Sequence, residues 1–245
     1  MKKLVEVHNL KKKYGSKEAV RGISFNILEN EILGLLGPNG CGKTTTIGML
    51  LGLLKPSSGE IFIDGEKNTE NREKILEKIN FISPYIELPK KLTVRQNLKV
   101  YGKLYKIQNI KRTIEFLSEK LRLESLLDKV TGELSSGQKN RVSLAKSLIN
   151  KPKVLFLDEP TASLDPEVGD FVRTFLENYK NENNISILLA SHNMNEVTRL
   201  CKSILMMKEG KIIDQGNPKE LINKHGRKNL EEVFLKLSRS NNELY

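Results

Sequence analysis

A glycine-rich segment, GPNGCGKT at residues 37–44, has the residue types and the spacing needed to bind phosphate groups. It matches the pattern G-x-x-x-x-G-K-[ST] and lies between an apolar segment and a segment with a helical pattern. Its glycines leave backbone N–H groups open to a phosphate, and the helix start adds a positive dipole end. We expect Lys43 to reach the β- and γ-phosphates and Thr44 to offer its hydroxyl to Mg²⁺. The segment therefore predicts a nucleoside triphosphate ligand.

Two adjacent acids, Asp158 and Glu159, end the apolar segment VLFLD and begin a loop. Acid pairs at strand ends are also common in ordinary loops. In a chain that carries a phosphate-binding loop, however, an acid in this position is suited to hold Mg²⁺, directly or through water. We assign that role to Asp158, and to Glu159 the role of general base that polarises the attacking water.

His192 follows another apolar segment, ISILLAS. A single histidine is often structural or simply exposed. In open α/β sheets, however, ligands gather at the carboxyl ends of the strands. His192 is therefore predicted to donate a hydrogen bond to the γ-phosphate and to hold the water in place.

A short polar segment, LSSGQ at residues 134–138, precedes a stretch with a helical pattern. Ser135 and Gln138 have the spacing of a capping box, and Val142, Ala145 and Ile149 then share one helix face. A capped helix start is also an anion site. From the residues alone, it stays open whether this segment contacts a phosphate, and whose phosphate that is.

The remaining pattern predicts the elements that position these residues. Alternating or continuous apolar residues predict strands at 5–10, 23–27, 31–37, 59–66, 79–83, 154–158, 185–191, 204–210 and 211–216, the last two as a hairpin. Helical periodicity predicts helices at 43–55, 92–105, 110–121, 139–150, 166–180, 195–201, 217–222 and 230–237. Thr93 and Gln96 add a second capping box. Strands and helices alternate on both sides of a helical insert, which indicates an α/β core with an all-helical subdomain.

Composition narrows the class of protein. At 245 residues, with 38% hydrophobic and 29% charged residues, the chain has the content of a globular domain. Its apolar runs are too short to span a membrane, and Glu6 and His8 interrupt any apolar leader, so a cytosolic protein is expected. Two cysteines, Cys41 and Cys201, make no disulfide framework.

The formal net charge of +11 predicts either an anionic partner, such as a nucleotide, a nucleic acid or an acidic lipid surface, or merely a lysine-rich surface. The basic residues are scattered, and KKK at 11–13 is the only run. A nucleic-acid-binding arm is therefore not indicated.

Four motifs taken together, GPNGCGKTT, LSSGQ, VLFLDEPTASLDP and ASH, occur in this chain and resemble those of the ATP-binding cassette (ABC) ATPases in their order. The resemblance covers residues 4–237. LSSGQ matches the family's signature sequence with one Gly-to-Ser change, and its combination with DEPTASLD is highly specific. The resemblance implies the α/β fold of a phosphate-loop NTPase, with a RecA-like core, an antiparallel β subdomain and an inserted all-helical subdomain.

The implied domain is a single ABC ATPase domain over 1–245. Its parts are a nucleotide-binding core (1–84 and 152–220), a helical signature subdomain (85–151) and a C-terminal helical tail (221–245).

The resemblance also implies residue roles, with ATP and Mg²⁺ as cofactors. The implied nucleotide-binding residues are Tyr14, which stacks on adenine, and Gly37, Pro38, Asn39, Gly40, Cys41, Gly42, Lys43, Thr44 and Thr45. The implied signature residues are Ser135, Ser136, Gly137 and Gln138, which act on the ATP held by a second copy. Asp165 matches the acid of the loop that links the two sites. Cys41 occupies a position that tolerates any small residue, and a thiol reagent that reaches it is expected to block hydrolysis.

The expected partners are a second copy of this chain, or a homologous cassette, and an integral membrane permease on another polypeptide. The chain would then lie on the inner face of the cell membrane, docked through the helical subdomain and the region after Pro84. The tail NLEEVFLKL at 229–237 resembles that of cassettes serving exporters of drugs, lipids, polysaccharides or ions. No nucleic-acid partner is expected.

One position departs from the family pattern. FISP has Pro84 where the family has a glutamine that senses Mg²⁺ and water. Proline has no side-chain donor or acceptor and no N–H, so Ser83 or Tyr85 is a candidate substitute.

Two other functions stay open. A soluble ABC ATPase acting on nucleic acid or ribosomes is compatible with the charge, although the sequence shows no basic–aromatic interleaving. A non-hydrolysing binding or regulatory module is disfavoured because Lys43, Asp158, Glu159 and His192 are all present.

Overall fold

The computed structural model describes residues 2–162 and 164–239, with the backbone alone for residues 238 and 239. Residues 240–245 of the predicted tail, and Ser163 of the DEPTASLDP motif, lie outside the described residues. The chain divides into two units, residues 1–75 with 186–245 (unit 1) and residues 76–185 (unit 2). The domain boundaries proposed from the sequence remain a prediction.

The α/β class is confirmed by the order of the elements. The strands are β1 Lys3–Tyr14, β2 Lys17–Leu28, β3 Ile32–Leu36, β4 Ser58–Ile63, β5 Glu66–Lys67, β6 Ile79–Ile82, β7 Val154–Asp158, β8 Ser186–Ser191, β9 Ser203–Lys208 and β10 Lys211–Gly216. The helices are α1 Lys43–Leu50, α2 Arg72–Lys78, α3 Val94–Leu104, α4 Ile110–Leu121, α5 Ser136–Leu148, α6 Pro166–Asn183, α7 Met194–Leu200, α8 Pro218–His225 and α9 Leu230–Arg239.

Unit 1 contains two layers of strands. Strands β2, β1, β4 and β5 form an antiparallel sheet in that order. β3 lies between β8 and β9 and is parallel to both, while β10 pairs with β9 as an antiparallel hairpin. Every residue of β3 and β8 is buried, which explains why both read as continuous apolar runs rather than alternating ones.

Unit 2 contains the parallel pair β6 and β7 and the helical insert, in which α3, α4 and α5 pack on one another. Both capping boxes predicted from the sequence are confirmed. Thr93 and Gln96 exchange hydrogen bonds at the start of α3, and Ser135 and Gln138 do so at the start of α5. Of the described residues, none belongs to a helix that is both long and apolar enough to cross a bilayer.

Two predicted elements are corrected. The helix predicted at 43–55 ends at Leu50, because the N–H groups of Leu53 and Leu54 both donate to the carbonyl of Gly48, and Gly52 takes a left-handed conformation with φ +67°. The strand predicted at 59–66 is a hairpin instead.

The hairpin follows from two residues in its turn. Asp64 and Gly65 have φ values of 52° and 78°, which is the two-residue turn that an Asp-Gly pair favours, and β5 pairs back on β4. Helix α2 was missed by the sequence analysis. It is short, and Ile75 is its only buried residue, so its pattern carries almost no periodicity.

Candidate functional site

The phosphate-binding loop joins β3 to α1 in unit 1 and places residues 38–40 at the surface while Gly37 and residues 41–43 are buried. The loop leaves no room for a side chain at two of its glycines. A Cβ at Gly42 would lie 2.6 Å from the Ala19 carbonyl oxygen, and one at Gly37 would collide with the Met207 carbonyl and the Cys41 sulfur. Gly42 also has φ +113°, which L side chains rarely adopt.

Lys43 begins α1 and folds back over the loop. Its ammonium donates to the carbonyl oxygens of Gly37 at 2.6 Å and Pro38 at 3.3 Å, and the residue is only 5% exposed. Thr44 and Thr45 lie in the first turn of α1. Thr44 is exposed and Thr45 is half-buried. A buried cation and the first turn of a helix therefore lie beside the same short loop.

Tyr14 ends β1 and is 48% exposed. The Lys12 ammonium lies 5.0 Å from the centre of its ring and also donates to the Lys55 carbonyl at 2.8 Å. One face of the ring is thus covered by a positioned cation, in a unit that also contains the phosphate-binding loop.

His192 leaves the sheet of unit 1 beside the phosphate-binding loop. In the parallel register of β3 and β8, Leu36 is opposite Ser191, so Gly37 and His192 are the next residues out of the same sheet edge. His192 is exposed. The structure therefore brings this histidine and the loop together, as the strand-end argument predicted.

A local network fixes the turn that carries His192. Ser191 Oγ donates to the buried Glu196 carboxylate at 2.7 Å and accepts from the Asn193 N–H at 3.0 Å. The Asn193 side chain in turn caps α7 by accepting from the N–H groups of Asn195 and Glu196. Several hydrogen bonds therefore hold this turn in place, and they are made by Ser191, Asn193 and Glu196, none of which was predicted to be a site residue.

Asp158 is the last residue of β7 in unit 2, and Glu159 follows it. Asp158 is 2% exposed, whereas Glu159 is half-buried and has φ 52°, the left-handed conformation that a non-glycine residue adopts at a cost of roughly 1–2 kcal/mol. In the parallel register, Ile82 of β6 is opposite Leu157 of β7. The segment that begins at Ser83 therefore leaves the same edge of this pair as the two acids.

The signature segment begins α5 in unit 2. Ser135 is the N-cap residue and Ser136 is the first helical residue, and both are exposed. Gly137 and Gln138 follow in the first turn. A Cβ at Gly137 would lie 3.2 Å from a methyl of Val168, so even alanine is tight there. Asp165 stands at the N-cap position of α6, immediately before Pro166.

A cavity of about 220 Å³ in unit 2 joins several of these features. Its lining includes Ser83, Pro84, Ser136, Asn140 and Glu159. Tyr85 does not line this cavity and is 79% exposed, whereas Ser83 lines it and accepts a hydrogen bond from the Tyr85 N–H at 3.4 Å. Of the two candidates for replacing the glutamine, Ser83 is thus the one at the cavity.

The donor chemistry of the predicted metal ligands fits Mg²⁺. No group of three or more His, Cys, Asp or Glu side chains within residues 2–162 and 164–239 is arranged to hold a metal ion. Mg²⁺, however, is usually held by one or two carboxylates together with substrate phosphates and water. The Thr44 hydroxyl and the buried Asp158 carboxylate are hard oxygen donors of this kind.

Comparisons with known proteins agree with this assembly of motifs. A family model described as ABC transporter matches residues 20–162. The chain is 37% identical over 236 residues to the Nod factor export ATP-binding protein I of Rhizobium sp. (strain N33), covering 94% of this chain and 76% of that protein. It is also 37% identical over 234 residues to the bacitracin transport ATP-binding protein BcrA of Bacillus licheniformis, covering 94% and 75%.

Solved structures show the same fold. An ATP-binding subunit of an ABC transporter superposes with a TM-score of 0.88 at 26% identity, over 96% of this chain and 99% of that chain. cbiO1 from Clostridium perfringens, part of the transporter complex cbiONQ, does so with a TM-score of 0.80 at 34% identity, over 100% and 99%. A cassette solved as a dimer in a post-hydrolysis state with ADP and Pi gives a TM-score of 0.80 at 26% identity, over 87% and 98%.

The fold and the motifs define an ATP-hydrolysing cassette of the phosphate-loop class. The chain belongs to the ABC transporter family. It is an ATP-binding subunit whose hydrolysis of ATP is coupled to transport.

Proposed function

We propose that this chain is the energy-supplying subunit of an ABC exporter, in which two copies close over two ATP molecules and drive a separate membrane permease. Export is supported by the two relatives described above, named for Nod factor export and bacitracin transport, at 37% identity over 94% of this chain. Two homologous cassettes in place of two identical copies would serve the same mechanism.

The proposal that this chain hydrolyses ATP at this site is supported best by the register of β3 and β8, which brings His192 beside the phosphate-binding loop. In the proposed mechanism residues 37–45 hold the phosphates through backbone N–H groups, and the Lys43 ammonium exchanges its loop carbonyls for phosphate oxygens. Tyr14 stacks on the adenine with its exposed ring.

Mg²⁺ supplies positive charge that neutralises the phosphate oxygens, and Thr44 and Asp158 are the residues that would hold it. Glu159 accepts a proton from the attacking water, and His192 orients that water by hydrogen bonding.

The signature residues Ser135, Ser136, Gly137 and Gln138 act on the ATP held by the other copy. The N-terminus of α5 supports this role, because its N–H groups and helix dipole attract a phosphate. Asp165, at the start of α6, is the acid that links the two sites.

The permease is proposed to dock on unit 2 and so to hold the chain at the inner face of the membrane. Exposed apolar side chains in this unit support the proposal, because apolar side chains that are grouped at the surface often mark an interaction site. They include Tyr85 and Ile86, which are adjacent in the chain, and Val100 and Leu104, which lie one turn apart on α3.

A test of the mechanism is Glu159→Gln. The variant is expected to bind ATP normally, hydrolyse it at least 100-fold more slowly, since a general base contributes roughly 10²–10⁴-fold, and accumulate as an ATP-bound dimer. Turnover assays measure the loss of hydrolysis, and light scattering with ATP measures the accumulation of the dimer. Wild-type turnover would remove Glu159 as the base, and a monomer with bound ATP would count against the clamp.

A second candidate, an ATPase acting on nucleic acid or ribosomes, is favoured only by the net charge of +11. Stimulation of ATP hydrolysis by DNA or RNA in the isolated protein would support it. Copurification with an integral membrane protein, without such stimulation, supports the transporter.

A further inference from the structure

A hydrogen bond in unit 2 ties the signature helix to the loop that carries Glu159. Asn140, in the second turn of α5, donates from Nδ2 to the carbonyl oxygen of Pro160 at 2.7 Å. Pro160 is the residue directly after Glu159, so this bond restrains the chain one peptide group beyond the proposed base. It is short for an N–H···O bond, which indicates a well-formed contact.

The Glu159 backbone needs such restraint. Its φ of 52° is unfavourable for a side chain that bears a Cβ, and such conformations persist only where the surroundings determine them. Two contacts that contribute here are the Asn140–Pro160 bond and the donation by the Ala162 N–H to the Glu159 carbonyl at 3.2 Å. Loss of the first would let the loop relax and turn the Glu159 carboxylate away.

The other end of the same amide faces a polar cavity. Asn140 Oδ1 is buried and has no hydrogen-bond partner among the residues that the structure describes. The amide cannot be flipped to repair this, because Oδ1 would then lie against the Pro160 oxygen. Asn140, Glu159 and Ser83 line one cavity of about 220 Å³, and a water molecule takes up about 30 Å³ in the liquid, so several fit.

We propose that Asn140 is a positioning residue for Glu159, which holds the Pro160 carbonyl through Nδ2 and accepts from a cavity water through Oδ1. It thereby links the helix that begins with the signature segment to the catalytic carboxylate. The assignment rests on the proposed role of Glu159 as general base. It also gives the cavity a polar group in the region where Pro84 has none.

The test compares Asn140→Ala with wild type in ATP turnover by the isolated chain. We expect kcat to fall about tenfold, because a misplaced base loses part of its roughly 10²–10⁴-fold contribution, while KM for ATP stays unchanged. Asn140→Asp is a second, nearly isosteric variant. It keeps an acceptor but removes the donor to Pro160, so it should lose kcat in the same way even if the alanine variant folds poorly.

A matched control removes the same kind of bond elsewhere in unit 2. Asn150 Nδ2 donates to the carbonyls of Glu77 at 3.0 Å and Ile79 at 3.2 Å, beyond the other end of α5. Asn150→Ala is expected to lower thermal stability at least as much as Asn140→Ala and to leave kcat unchanged. An equal loss of kcat in both would mean general loosening of the unit and would overturn the proposal.

A double-mutant cycle with Glu159→Gln separates this inference from the proposed function. If Asn140 acts through Glu159, Asn140→Ala should change the residual single-turnover rate of Glu159→Gln by less than about twofold, because two residues that act as a unit are not additive. The same tenfold loss in both backgrounds, or a raised KM with normal kcat, overturns it. Wild-type turnover in Glu159→Gln alone instead defeats the assignment of the base.

Discussion

At the scale of single residues, the phosphate-binding loop places a reactive group where there is almost no free space. Cys41 is 4% exposed, and its sulfur lies against the Cα of Gly37, since a Cβ built there would come within 2.6 Å of it. Any enlargement of this side chain must push the loop out of its phosphate-binding shape. The second cysteine, Cys201, is also buried, and burial raises the pKa of its thiol well above the usual range.

Alkylation of Cys41 is therefore expected to be slow and to inhibit ATP hydrolysis, and saturating ATP should protect. Cys201 is held as the neutral thiol, which is a poor nucleophile, so it should not contribute. The measurement is ATPase activity during treatment with a small maleimide. Cys41→Ala serves as the control and should be insensitive; equal sensitivity of that variant would place the reaction elsewhere.

At the scale of elements, α5 connects three parts of unit 2. In its second turn Asn140 donates to the Pro160 carbonyl. The next residue, Arg141, donates to the carbonyls of Leu121 and Arg122 at the end of α4. Near the end of the helix, Lys146 donates to Asn80 of β6. The last contact is costly. The Lys146 ammonium lies 4.6 Å from the centre of the Phe81 ring, and burial lowers its pKa to about 8.

This lysine should make stability depend on pH. Below about pH 8 both the folded and the unfolded chain hold its proton, and the folded state bears the full cost of the buried charge. Between about 8 and the ordinary 10.5 the unfolded chain binds more protons than the folded one, so the free energy of unfolding rises with pH. The rise amounts to at most about 3 kcal/mol, at about 1.36 kcal/mol per pKa unit.

Lys146→Met removes this dependence while keeping a side chain of similar length. The difference in unfolding free energy between the variant and wild type should therefore shrink as the pH is raised from neutral toward the ordinary pKa of lysine. Urea denaturation at several pH values measures it. A difference that stays constant over this range would show that Lys146 is not held with a lowered pKa.

At the scale of the whole molecule, the proposed active unit is a dimer, because the signature segment would serve the ATP of the other copy. Gly137 is the residue at which a side chain would obstruct that approach. It is also close to Val168 within its own unit, because a Cβ added at Gly137 would lie 3.2 Å from Val168 Cγ1. A simple Gly137→Asp variant therefore mixes two effects, local strain and obstruction between copies.

The paired variant Gly137→Asp with Val168→Ala relieves the local strain. It is expected to bind ATP as wild type does, but to remain monomeric when combined with Glu159→Gln, and to have no measurable hydrolysis with Glu159 intact. Val168→Ala alone should dimerise and hydrolyse normally. Light scattering with ATP and turnover assays measure these two properties. Normal dimerisation of the paired variant would show that LSSGQ only caps α5 and does not contact the other copy.

Several features were predictable because they depend on residues close together in the chain. The phosphate-binding loop, the capping boxes at Thr93 and Ser135, and the hairpin of β9 and β10 all follow from hydrogen bonds made within a few residues. The Asp64-Gly65 turn was equally local, and its turn chemistry was overlooked. Family membership followed from the order of four such local motifs.

The sequence by itself determined which chemical groups this protein has for binding and hydrolysing ATP, because residue types and short spacings specify phosphate loops, acids after strands and capped helices. It also predicted that His192 would lie near the phosphate-binding loop, as the register of β3 and β8 has it. Tertiary structure alone decided two other contacts: packing of α5 brings Asn140 to Pro160 and buries Lys146. These contacts join distant segments, and their energies depend on burial and closure of the whole chain, which no local pattern records.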